Sequence, residues 1–94
     1  MDVGVHDHQA EARYEARLGT ELVGIAEYRL VDTVITFTHT EVEPEHREQG
    51  VAAAIARYSL DDARERGLTV VPGCSYYRRF LGTHPEYSDL VSSR

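Results

Sequence analysis

Three features of the sequence have residue types and spacing suited to chemistry, and the first is a glycine segment. Arg47-Glu48-Gln49-Gly50-Val51-Ala52 links a strand-like run to an alanine-rich helix. N–H groups at a helix N-terminus lack partners and carry partial positive charge, and glycine lets an anion approach the backbone. The segment therefore predicts a cradle for a diphosphate, to which Arg47 adds charge. The predicted donors are the backbone N–H groups of Gln49, Gly50, Val51 and Ala52.

The second feature is Cys74, which follows a short apolar run and Pro72-Gly73 and precedes a second predicted helix. N–H groups near such a position favour the thiolate, which makes Cys74 a candidate nucleophile. The alternative is a small buried side chain without chemistry. Because Cys74 is the only cysteine, we expect no internal disulfide and a reducing, cytoplasmic location.

The third feature is His39, near the end of a run rich in β-branched residues. Its imidazole could act as a general base, or could orient the acceptor or the thiol. In a regular strand it shares a face with Ile35 and Phe37, so a packed histidine is the alternative, and a bulge would change its direction. Glu41 and Glu43 are alternative bases, although solvated charge is the simpler interpretation for both.

The N-terminal histidines carry the weakest signal. His6 and His8 have no cysteine or carboxylate cluster at a metal-site spacing, and we predict no metal site. Residues 1–8 are polar and are expected to fray.

The remaining pattern predicts the elements that position these residues. Turn signals at Gly19-Thr20 and Val31-Asp32 separate three strands, and Pro44 ends the third. Short links favour an antiparallel meander. A helix follows from Gly50 to Arg66, then a strand that pairs in parallel with the meander, then a short helix. The predicted strands are 13–18, 21–30, 33–42 and 68–72, the second helix is 75–82, and the buried face of the first helix is Ala52, Ile55, Ala56, Ser59, Leu60 and Ala63.

Size and charge limit the class of protein. With 94 residues and 41% hydrophobic content, we predict one α+β domain over residues 1–94. A net charge of −6 argues against nucleic-acid binding. No apolar run is long enough to predict a membrane segment.

The motifs together resemble the GNAT-type N-acetyltransferases, and in particular a subfamily of short single-domain proteins. Residues 47–52 fit the superfamily signature Arg/Gln-x-x-Gly-x-Gly/Ala. The subfamily marks follow in the expected order and are His39-Thr40-Glu41-Val42, Arg47 to Gly50, Leu60 to Arg64, Val70 to Cys74 and His84 to Tyr87.

The resemblance implies a minimal GNAT-like fold and acetyl-CoA as cofactor, with coenzyme A as product. The diphosphate would lie in the cradle and the pantetheine arm between the splayed third strand and the parallel strand, against backbone groups near Glu41 and Val42. Cys74 and His39 would be catalytic, and the acceptor would be a small-molecule or peptide amine. Direct attack by the amine and an acetyl-Cys74 intermediate both remain open, as does a non-catalytic coenzyme A-binding module or interaction protein. The tyrosine acid of many relatives is replaced by Phe80 or Leu81.

Overall fold

Four consecutive strands form an antiparallel meander. The computed structural model describes residues 3–91, and the strands are β1 (Gly4–His8), β2 (Arg13–Leu18), β3 (Glu21–Val31) and β4 (Val34–Val42). The β2–β3 link is a tight turn in which Gly19 has φ +60°, a conformation that glycine adopts without strain. Short turns of this kind allow only antiparallel neighbours.

A helix carries the chain across the meander to a parallel strand at the other edge. Helix α1 spans Val51–Glu65, and β5 (Thr69–Pro72) pairs in parallel with β4. The sheet order is therefore β1-β2-β3-β4-β5. Helix α2 (Ser75–Thr83) follows, and 3-10 turns cover Gln9–Glu11, Pro44–His46 and Pro85–Leu90.

One face of α1 packs on one face of the sheet and forms the core. Val51, Ile55 and Leu60 have no exposed surface, and they lie against strand residues such as Phe37. Tyr77 of α2 closes the core from the side, with its ring 4.1 Å from that of Phe37. Burial of apolar area at about 25 cal/mol per Å² is the main stabilising contribution in such a core.

The predicted fold class is confirmed, with its meander, central helix, parallel strand and short second helix. The buried helix face is also confirmed except at its first member, because Val51 is fully buried and Ala52 only partly. The expectation that the N-terminus frays is wrong for Gly4–His8, which pair with β2 as an edge strand. Met1 and Asp2 lie outside the described residues.

A bulge in β4 decides which side chains reach the site. Glu27 of β3 is opposite His39, but the next residue, Tyr28, is opposite Phe37, so Thr38 is an extra residue in β4. An extra residue reverses the faces of the residues that follow. Before the bulge, Ile35 and Phe37 point toward α1. Beyond the bulge, Thr40 and Val42 are the residues that point toward α1.

Candidate functional site

The candidate site is a cleft at the point where β4 and β5 part. The two strands pair from Val34 to Phe37, with Pro72 as the last partner on β5. Proline has no N–H to continue the ladder. A Cβ on the following Gly73 would lie 2.8 Å from the carbonyl oxygen of Phe37, so only glycine fits at the fork. Beyond the fork β4 continues to Val42 without β5 beside it, and the cleft opens there.

Backbone groups of Thr40 and Val42 line this cleft. The N–H of Glu43 donates to the carbonyl of Val23 in β3 at 2.9 Å. Because backbone groups alternate in direction along an antiparallel ladder, Glu41 also directs its N–H and C=O to β3, and Thr40 and Val42 direct theirs to the cleft. Glu41 therefore leaves the predicted backbone set for the cofactor, and Thr40, which sequence reasoning missed, enters it. The bulge at Thr38 is what determines this alternation.

The first turn of α1 forms the predicted cradle at one end of the cleft. Gly50 is the N-cap residue, with φ +76°, and it has no side chain to cap the helix. The first bond to the helix runs from the N–H of Ala54 to the carbonyl of Gly50 at 3.0 Å. The N–H groups of Gly50, Val51 and Ala52 therefore have no acceptor within residues 3–91. Such a set of donors, with the partial positive charge of the helix end, favours an anion.

Two predicted members of the cradle have a different role. The N–H of Gln49 donates to the carbonyl of His46 at 3.2 Å, and its Oε1 lies 2.8 Å from His46 Nδ1. Gln49 thus closes the turn before the cradle and leaves the predicted donor set. The Arg47 guanidinium donates from Nε to the carbonyl of Val42 at 3.4 Å, so its charge lies between the cradle and the end of β4.

Cys74 lies across the cleft from β4, at the start of α2. It is partly buried, and its Sγ is 3.4 Å from Oγ1 of Thr40. Although Cys74 is the N-cap residue of α2, its side chain makes no capping hydrogen bond to that helix. The N–H groups that we expected to favour the thiolate therefore receive no hydrogen bond from the Cys74 side chain, whose partner is the neutral hydroxyl of Thr40.

His39 does not meet Cys74. The bulge turns its ring to the sheet face opposite α1, where the side chain is 54% exposed and its Nε2 lies 3.6 Å from Oε1 of Glu41. Both expected surroundings are wrong for this residue, because it neither packs beside Ile35 and Phe37 nor contacts the thiol. His39 and Glu41 instead form a solvated imidazole–carboxylate pair beside the cleft.

The tyrosines near the cleft differ in their availability for proton transfer. Tyr77 is fully buried, its hydroxyl is 2.7 Å from that of Ser59, and burial raises its pKa well above the ordinary value. Phe80, at the predicted position of the usual acid, is buried with its ring stacked 3.8 Å from that of His84. Tyr76 is partly buried, and this burial raises the pKa of its hydroxyl. Neither Tyr77 nor Phe80 can therefore donate a proton to a ligand in the cleft.

Two open grooves adjoin the cleft. The first, of about 370 Å³, is lined by Arg13, Leu22, Ile25, Glu41, Glu43 and Arg47 and reaches the end of β4. The second, of about 380 Å³, lies between the first turn of α1 and the length of α2 and is lined by Ala53, Tyr76, Arg79, Phe80, Thr83 and His84. The first groove therefore contains two arginines and two glutamates, and the second is mainly aromatic with one arginine.

Comparison with known proteins identifies the family. The chain belongs to the GCN5-related N-acetyl-transferase family, whose model matches residues 13–90. Members of this family generally use acetyl-CoA, and the chain's membership confirms the resemblance found in its motifs. No curated protein matches the chain significantly in sequence.

Solved structures share the fold. A GCN5-like protein from Staphylococcus aureus matches with a TM-score of 0.72 and 23% identity, over 99% of this chain and 89% of that one. The ribosomal-protein-S18-alanine N-acetyltransferase from Escherichia coli matches with a TM-score of 0.59 and 19% identity, over 62% of this chain and 38% of that one. A ribosomal-protein-alanine N-acetyltransferase from Brucella melitensis matches with a TM-score of 0.58 and 20% identity, over 87% of this chain and 59% of that one. The chain therefore spans less than two thirds of these two acetyltransferases.

Within residues 3–91, the two helices are too short and too polar to cross a bilayer.

Proposed function

We propose that this protein is an acetyl-CoA-dependent N-acetyltransferase that acts on a small-molecule or peptide amine. The observation that carries the proposal is the meeting of two features in one cleft. Free N–H groups of Gly50, Val51 and Ala52 lie at the start of α1, and the unpaired edge of β4 runs toward Cys74. The first feature suits a diphosphate, and the second suits an extended arm with amide groups.

The cofactor would lie along this path. Its diphosphate would accept hydrogen bonds from the cradle, and the pantetheine amides would pair with the cleft-facing backbone of Thr40 and Val42. The Val42 carbonyl already accepts from Arg47, so the N–H of Val42 is the group open to the arm. The nucleotide end would enter the groove beside Ala53, where Arg79 lies over the ring of Tyr76 at 5.8 Å and offers a cation to a phosphate.

The acetyl group would then reach the fork beside Thr40 and Cys74. A gap between two strands opens on both faces of a sheet, so the acceptor can approach from the face opposite α1. His39 and Glu41 border that opening. We assign His39 as the general base, which takes the proton that the amine loses as it bonds to the acetyl carbon, while the coenzyme leaves as its thiolate.

Direct transfer is the route that the contacts support. Activation of a cysteine nucleophile needs an adjacent base or cation. The Cys74 thiol has Thr40 as its hydrogen-bond partner, and His39 faces the other side of the sheet. Cys74 is therefore proposed to line the acetyl pocket, and an acetyl-Cys74 intermediate is the outcome that would contradict this step.

Turnover of acetyl-CoA with a panel of amines, followed by free thiol release, tests the proposal. We expect transfer to at least one primary amine, and loss of most of that turnover in His39→Ala with coenzyme A binding retained. Binding without transfer to any amine would favour the non-catalytic module, and absence of binding would refute the proposal altogether.

A further inference from the structure

A second polar cluster lies on the sheet face opposite α1, at the β1–β2 edge. His6 and His8 alternate along β1 and so project from one face. Glu15, directly opposite His6 on β2, places its carboxylate between the two rings. Its Oε2 is 3.0 Å from Nδ1 of His8, and its Oε1 is 3.4 Å from Nε2 of His6. From the sequence we expected no metal site, because no cysteine or carboxylate cluster lies at a metal-site spacing and the pairing of β1 with β2 was not foreseen.

The carboxylate is held in place from its other side. Glu15 is only 1% exposed although it is charged, and Arg13 donates to Oε2 at 2.9 Å while Arg17 donates to Oε1 at 3.0 Å. The two arginines therefore hold the Glu15 carboxylate in place as an oxygen ligand.

We propose that His6, His8 and Glu15 bind a divalent transition-metal cation of the zinc class. Two imidazoles and one carboxylate form a common three-ligand set for such cations, and the three ligand atoms lie within 4.8 Å of one another. The cation would take the place of the proton that His8 Nδ1 shares with Glu15, and that proton would move to the exposed Nε2. Binding would cross-link β1 to β2 and hold the edge strand in the sheet.

The arginines make the site selective for the kind of cation. Arg13 and Arg17 carry two positive charges against the single negative charge of Glu15, so general attraction for cations is weak. Hard cations such as Mg²⁺ and Ca²⁺ depend on anionic oxygen ligands, whereas Zn²⁺, Cu²⁺ and Ni²⁺ bind imidazole nitrogen well. We therefore expect Zn²⁺ to bind and Mg²⁺ not to compete with it.

Calorimetric titration of the full chain with Zn²⁺ tests the site, with any affinity tag removed. Wild type should bind one Zn²⁺ per chain and should unfold at a higher temperature with Zn²⁺ than with chelator. His6→Gln and His8→Gln change exposed side chains, and each should weaken zinc binding about tenfold or more. The matched control is His46→Gln, because His46 also lies beside a carboxylate, 3.9 Å from Oε2 of Glu21, but has no second imidazole.

Two further measurements keep the test independent of folding and of acetyl transfer. Circular dichroism must show that each variant is folded, and Co²⁺ in place of Zn²⁺ should give visible absorption in wild type that is lost in the His6→Gln/His8→Gln double variant. Zinc affinity of the double variant equal to that of wild type would overturn the proposal. Equal loss in His46→Gln, or displacement of Zn²⁺ by millimolar Mg²⁺, would overturn it as well.

Discussion

Substitution of Glu15 by Gln should destabilise the protein in a manner that depends on pH. The side chain is 1% exposed and its two carboxylate oxygens accept hydrogen bonds from Arg13 and Arg17. Glutamine keeps the size of the side chain but removes its charge. The guanidinium groups then lose their counter-charge in a partly buried setting, which is costly when one partner of a buried pair is removed.

The magnitude follows from the pKa of Glu15. Burial raises it, but the hydrogen bonds from Arg13, His8 and Arg17 bring it from an ordinary 4.5 down to about 2. A folded-state pKa below the unfolded value stabilises the native state above the unfolded pKa, and the stabilisation disappears as pH falls through the folded pKa. This difference between the folded and unfolded pKa of Glu15 corresponds to about 3 kcal/mol of stability at pH 7 and to about half of that at pH 3.

Urea unfolding of wild type and Glu15→Gln, with chelator present and at a series of pH values, measures this difference. We expect the gap in unfolding free energy to be about 3 kcal/mol at pH 7 and to narrow steadily below pH 4.5. Glu11→Gln, which removes an exposed carboxylate from the same part of the chain, controls for the change in net charge. A gap that stays constant between pH 7 and pH 3 would refute the account of Glu15.

Three other substitutions test the cleft and its support. Gly50→Val places a branched side chain at φ +76° in the cradle, and calorimetry should show coenzyme A affinity reduced about tenfold or more; unchanged affinity would remove the cradle. Cys74→Ala should keep turnover within about tenfold of wild type, whereas a loss of turnover by several orders of magnitude would favour an acetyl-Cys74 intermediate. Intact-mass analysis of the wild-type protein after treatment with acetyl-CoA should find no acetylated protein. Gly24→Ala should lower stability by about 1–3 kcal/mol in thermal unfolding, because its Cβ would lie 2.8 Å from Cγ1 of Val51 under the cradle. The control Gly82→Ala, with open space around its Cβ in α2, should stabilise by about 0.5–1 kcal/mol, and destabilisation there would contradict the packing described.

Most of the fold could be predicted because local patterns and tertiary packing agree over most of the chain. Strand β2 begins and ends where the alternation and Gly19 place it, and α1 differs from its prediction by one residue at each end. The motif at Gly50 also kept its predicted place at a helix start, since a glycine between a strand and an alanine-rich run leaves few other geometries.

The errors arose where long-range pairing decides the outcome. Gly4–His8 is a strand because it pairs with the edge of β2. The polar residues His6, Asp7 and His8 show no apolar alternation from which this strand could be predicted. The direction of His39 depends on one extra residue at Thr38, which the sequence does not mark with glycine. That bulge also explains why Thr40 meets Cys74 and why Glu41 faces away from the cleft.

Binding of coenzyme A at the cradle is tested by titrating the isotope-labelled chain with coenzyme A and recording backbone amide NMR spectra. We expect the amide resonances of Gly50, Val51 and Ala52 to shift most, together with those of Thr40, Val42 and Cys74 along the cleft. The amide resonances of Gly4, in the edge strand β1, and of Gly19, in the β2–β3 turn, should not shift. Saturable binding that shifts the resonances of other residues and leaves those of Gly50 to Ala52 unchanged would contradict binding at the cradle. The absence of any shift at millimolar coenzyme A would contradict it as well.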